Sequence, residues 1–304
     1  MTYNDKFHSD NLDQINTDLD KIEDAQNRLI DFLSKILLAS NTVDQATNCE
    51  CFRVLLGKIR INIESINAII PLVRKDFKFK ISINLLYRCI IDDIINALYL
   101  INFLDFNDPN QTSLSNELNI LNKEFLLSII DAFTEKSIYD ESLNIITNDQ
   151  KTIINNDIKN IINNNPNLIN TNGKGKQNSD IRIGTNDIFL NRIKVIGSAG
   201  NFLSSNFKLK YIEKSSKEME TQYKQLKYLF NYYTQYQHFN PEASKLIQKN
   251  LDHDIYNYIA TISEMLSVIE ILIGFINIDD SEFLKGQFVG MCNYIEESFK
   301  EIEI

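Results

Sequence analysis

Apolar residues recur at steps of three and four along most of this chain, the period of amphipathic helices. Over residues 10–40 the stripe is Leu12, Ile15, Leu19, Ile22, Leu29, Leu33 and Ile36, with acidic side chains in the early turns, where the helix dipole favours them. Those turns have the spacing of a coiled-coil seam, which packs either within the chain or against a second copy. A polar connector at 41–48 leads to a second helix over 51–70, with Leu55, Ile59, Ile63, Ile66 and Ile70 inward. Pro71 is expected to stop that helix, and Arg53 and Arg60 to face solvent.

Residues 79–104, FKISINLLYRCIIDDIINALYLINFL, are the most apolar long run, yet Arg88, Asp92, Asp93 and Asn96 sit in its middle. On a helix, Arg88, Asp92 and Asn96 fall at i, i+4 and i+8 and share one face. Leu85, Leu86, Ile90, Ile91, Ile94, Ile95, Leu98 and Tyr99 cover nearly every other direction, so the helix is expected at the centre of the fold. A buried polar seam needs partners, because an unpaired buried charge costs several kcal/mol, on the order of 3–5.

Further helices are expected at 114–136, 140–164, 186–197, 209–236, 243–276 and 281–301. The 209–236 helix is dense in tyrosine in its later turns and runs up to His238, with Pro241 just beyond. Residues 163–187 combine Pro, Gly, Asn and Lys without periodicity and read as a mobile loop. With no convincing strand, the pattern describes an all-α protein, an antiparallel multi-helix bundle, as a single domain over 1–304.

Composition agrees. Four prolines, nine glycines and no tryptophan suit long helices better than turn-rich sheets, and 43% apolar residues supply a substantial core. The net charge of −10 argues against general nucleic-acid binding, but residues 174–227 hold eleven Lys/Arg against five Asp/Glu. That run is either a solvated basic face or a phosphate- or RNA-facing surface. Cys49, Cys51, Cys89 and Cys292 have no metal-ligand spacing and read as reduced thiols. The N-terminus lacks the pattern of a signal peptide, and the longest apolar stretches carry central charges. The expectation is therefore a cytoplasmic protein with no membrane partner.

The chemistry-bearing residues are few. His8 and His253 are expected at the surface, whereas His238 closes the run YLFNYYTQYQHFNP among hydroxyl side chains. If that helix packs on the central one, Arg88, Asp92, Asn96, Thr234 and His238 form one polar cluster. No Glu-x-x-His pair, phosphate-binding glycine loop or Gly-x-Ser-x-Gly elbow is present, and no cofactor or metal is implied.

LLYRCIIDDIINALYL and YLFNYYTQYQHFNP together resemble an uncharacterised family of prokaryotic helical domains. Its pattern is Arg, an acidic residue four later and Asn four beyond, then a tyrosine-rich helix ending Ser-x-x-x-His. Arg88, Asp92, Asn96, Tyr228, Tyr232 and His238 match; Thr234 replaces the usual Ser, and Asp92 the commoner Glu. The match runs from Ile81 to Pro241, about half of the chain. That family is similar in architecture to HEPN domains, helical bundles that include metal-independent ribonucleases of toxin and antiviral defence systems. HEPN ribonucleases place His four to six residues after Arg, a spacing absent here. The resemblance thus implies a composite site, with His238 as acid or base, Arg88 stabilising the phosphate and Asp92 orienting one of them. Asn96, Thr234, Tyr228 and Tyr232 would bind or support, the partner would be RNA or a nucleotide, and the assembly a homodimer. The alternative is a non-catalytic module for a protein partner, its polar network setting helix register only.

Overall fold

The computed structural model describes residues 3–40, 50–105, 107–164, 204–215, 220–237, 251–275, 281–300 and 302. Among these the secondary structure is helical throughout, without strands, and the protein is an all-α bundle. The chain divides into two compact units, one formed by Met1–Leu98 with Glu218–Ile304, the other by Tyr99–Lys217.

In the first unit, α1 (Tyr3–Ser40) and α2 (Glu50–Lys75) form an antiparallel pair. Arg74 of α2 reaches Glu23 of α1 at 2.8 Å, and Asn67 reaches Asn27 at 2.9 Å. Their facing stripes are dry: Leu19, Leu29, Leu33, Ile36, Ile59, Ile63 and Ile66 have no exposed surface. Arg53 and Arg60 lie half-buried along α2, paired with Glu50 and Glu64 one turn away.

Pro71 does not stop α2, which continues to Lys75. Proline removes one backbone donor and crowds the preceding turn. Here the turn after it is held by the fully buried Val73 and by the Arg74 ion pairs to α1. A short 3₁₀ turn, Phe77–Phe79, begins where the Asp76 side chain accepts from the Lys78 amide at 3.0 Å. It feeds α3 (Lys80–Ile101), whose Ile90, Ile91, Ile94 and Ile95 are fully buried.

The unit is completed by α7 (Glu220–Thr234), α8 (Asp252–Phe275) and α9 (Ser281–Lys300). α9 lies antiparallel along α1, with Phe288 against Phe32 at 5.4 Å and the Arg28 guanidinium 3.6 Å from the Tyr294 ring centre. One described helix, over Asp252–Ile273, is long and apolar enough to cross a membrane, but 72% of its apolar window is buried inside the protein.

The second unit holds the end of α3, then α4 (Thr112–Ser142), α5 (Asn148–Asn164) and α6 (Ser205–Ser215). α4 runs six residues past its expected end at 136, and α5 starts at Asn148 rather than 140. The break is made by Asn144, at φ 53°, and by a reciprocal cap. The Thr147 amide donates to Gln150 Oε1 at 2.9 Å, while the Gln150 amide donates to Thr147 Oγ1 at 3.3 Å. The expected connector at 41–48, the helix at 186–197 and the 163–187 loop beyond Asn164 lie outside the described residues.

The extension of α2 past Pro71 makes a measurable prediction. Val73→Ala should lower stability in urea unfolding by about 1–3 kcal/mol through lost burial. Arg74→Ala, whose side chain is 29% exposed, should cost less than about 1 kcal/mol. A larger loss for Arg74→Ala than for Val73→Ala would show that ion pairing, not burial, holds this turn.

Candidate functional site

α3 carries a line of polar residues longer than three. Lys80, Asn84, Arg88, Asp92 and Asn96 follow one another at steps of four, so a single face presents all five. The line meets α8 at its beginning and α7 further along.

At the α8 end the centre is Asp254, in the first turn of that helix, where the dipole favours a carboxylate. Its side chain and that of Lys80 are 2% and 0% exposed, and their ion pair spans 2.9 Å. Asn84 Nδ2 donates to Asp254 Oδ1 at 3.0 Å, the Tyr232 hydroxyl at 2.6 Å and the Tyr236 hydroxyl at 3.0 Å. A carboxylate with an ammonium and three further donors can remain dry, because its lone pairs are satisfied. Burial first, and then the Asp254 charge, push both tyrosine hydroxyls far above their ordinary pKa. They stay protonated and serve as donors.

Further along, the Arg88 guanidinium lies 3.8 Å from the Phe230 ring centre and is 7% exposed. Its Nε donates to Thr234 Oγ1 at 2.9 Å, and an Nη forms an ion pair with Asp92. Thr234 in turn donates to the Phe230 carbonyl oxygen at 2.6 Å. One cation is therefore held by its planar face, one edge and one neighbouring carboxylate. Asp92 is 33% exposed, and Asn96 lies half-buried on the same face.

Between the two clusters stands a column of tyrosines. Tyr87 of α3 stacks on Tyr258 of α8 at 4.6 Å and on Tyr233 of α7 at 5.7 Å, all three essentially without exposed surface. Gln26 of α1 donates to the Tyr87 hydroxyl at 2.6 Å, and Tyr233 pairs with Thr261 at 3.0 Å. On the other side of α3, the buried Asp93 forms an ion pair with Lys58 of α2.

The anticipated cluster is thus assembled in part. Arg88, Asp92 and Thr234 come together; Tyr232 belongs instead to Asp254. Tyr228 lies at the surface, its hydroxyl 3.3 Å from Nε2 of His253, which is exposed as its sequence position suggests. His238 lies outside the described residues. Lys80, Asn84, Tyr236 and Asp254 were missed. For the first two, the same four-residue step traced backwards from Arg88 was a usable signal. For Asp254, its place on the buried stripe with Tyr258, Thr261 and Met265 was another.

Comparison with protein-family models, with curated proteins and with solved structures finds no match for this chain.

The geometry ranks the two anchor points. Asp254→Ala should cost about 3–5 kcal/mol in chemical unfolding, because it strands the Lys80 ammonium in a dry site. Arg88→Ala should cost less, about 1–3 kcal/mol, because the carboxylate it leaves behind is reached by water. The reverse order would mean that the Lys80–Asp254 contact carries little of the fold.

Proposed function

We propose that this protein is a non-catalytic, protein-binding helical module in which the Arg88 and Asp254 clusters hold α3, α7 and α8 in register. The observation that carries this reading is the enclosure of Arg88. The Arg88 side chain is 7% exposed, and its guanidinium is already engaged within the protein, laid on Phe230 with Nε on Thr234 and an Nη on Asp92. The surface of the second unit supports a binding role. Phe125, Phe133, Ile138 and Tyr139 of α4 and Ile153 of α5 are each at least half exposed, more large apolar surface than a solvated hairpin needs.

The resemblance to HEPN ribonucleases supplies a second reading: a cytoplasmic, homodimeric protein of bacterial stress or antiviral defence that acts on RNA or nucleotide phosphates. It is favoured by the one-third exposure of Asp92 and by the exposed Lys210, Lys214, Lys224 and Lys227 of the basic run. Lys208 of the same run is buried: it is 5% exposed, with its ammonium 5.9 Å from the Tyr99 ring centre. In this reading His238, four residues after Thr234, supplies the proton transfers.

A metal-free cleavage assay on a panel of structured and single-stranded RNAs separates the two. The interaction module predicts no cleavage by the intact protein. Cleavage abolished in His238→Ala, with helicity and melting unchanged, would instead establish the ribonuclease.

A further inference from the structure

Among the buried acids outside both polar clusters, Glu264 ties α7 to α8. Glu264 lies in the middle of α8, 5% exposed, and its Oε2 accepts from Gln222 Nε2 of α7 at 3.0 Å. Gln222 lies at the opposite end of α7 from Thr234, so the two helices are tied at both ends: by Gln222–Glu264 near the start of α7, and by Tyr232 and Tyr236 with Asp254 near its close. The ties differ in kind. Asp254 has the Lys80 ammonium, whereas Glu264 has a neutral amide, with the buried apolar residues Ala260 and Val268 one turn away on its own face of α8.

We propose that Glu264 is a proton-operated latch: protonated, it lets the first half of α7 dock on α8, and ionised, it releases that half while the Asp254 end stays fixed. Among the described residues the site offers Glu264 one amide donor and no counter-ion, which suits a carboxylic acid. A carboxylate there lacks compensation and draws water into the interface.

The electrostatic surroundings agree. Burial raises the Glu264 pKa from 4.5 to about 7, opposed by the Gln222 hydrogen bond. Among the described residues, no charged or titratable side chain of α1, α3, α7 or α9, Lys80 and Arg88 of α3 included, and no other one of α8, adds to those two causes. Lys224 and Lys227, the cations on α7, are exposed. Because the folded pKa lies above that of the open state, docking is strongest below pH 4.5 and weakens as pH rises through about 7, where it levels off. Over that window the opening equilibrium changes by up to about tenfold per pH unit.

The test is amide hydrogen exchange of the intact protein between pH 5 and pH 8.5, corrected for the intrinsic pH dependence of exchange. Protection over residues 220–228 should fall as pH approaches 7 and then plateau, while protection at 230–234 changes less. Glu264→Gln, a stand-in for the protonated acid, should remove the pH dependence. Gln222→Ala, which deletes the donor that lowers the carboxyl pKa, should move the midpoint upward. A wild-type profile independent of pH, or a slope retained in Glu264→Gln, overturns the latch. Should Glu264→Gln not fold, an unmoved midpoint in Gln222→Ala overturns it equally.

Discussion

The arrangement of the first unit depends on keeping one carboxylate dry. Asp254 is enclosed together with Lys80, so neither charge can trade its partner for water without dismantling the contact. Helices packed through isoleucine and leucine alone can slide or rotate by a turn at little cost, since one apolar knob fits much as the next does. A buried carboxylate of α8 whose donors come from α3 and from the end of α7 cannot: a one-turn slip of α7 would strand the Tyr232 and Tyr236 hydroxyls and leave Asp254 short of donors. In the proposed reading the pair acts on the choice of register more than on the total stability.

The same reasoning explains the order along α3. Lys80 and Asn84 fix α8, Tyr87 stacks on residues from α7 and α8, Arg88 fixes α7, and Asp93 turns to α2. Polar and aromatic contacts with defined geometry alternate with isoleucines that supply burial without direction. The Arg88 cluster lies nearer to water at Asp92, so it contributes orientation at lower energetic cost than the Asp254 cluster.

Much of this was legible in the sequence, because period and chemistry coincide in α3. The face bearing Arg88, Asp92 and Asn96 follows from spacing alone, as does the need for partners, and Thr234 is one of them. Asp254 was not legible in the same way: its neighbours Asp252 and His253 are exposed, and a mixed acidic stretch at a helix start looks solvated until the inward stripe is traced through it. Helix ends were the weakest point. Pro71 signals a stop by its local chemistry, but burial of Val73 outweighs that cost, and this is a tertiary effect that no local pattern contains. The α4–α5 boundary did have a local signal, the Thr147–Gln150 cap, hidden by isoleucines that keep helical spacing across the break.

The most direct test of this account is a double-mutant cycle on Lys80→Met and Asp254→Leu, read by chemical unfolding. A contact that holds helices in register from inside the protein should show a coupling energy above about 2 kcal/mol, with the double variant more stable than either single one. A coupling below about 1 kcal/mol, the range of exposed ion pairs, would contradict the central place given to Asp254.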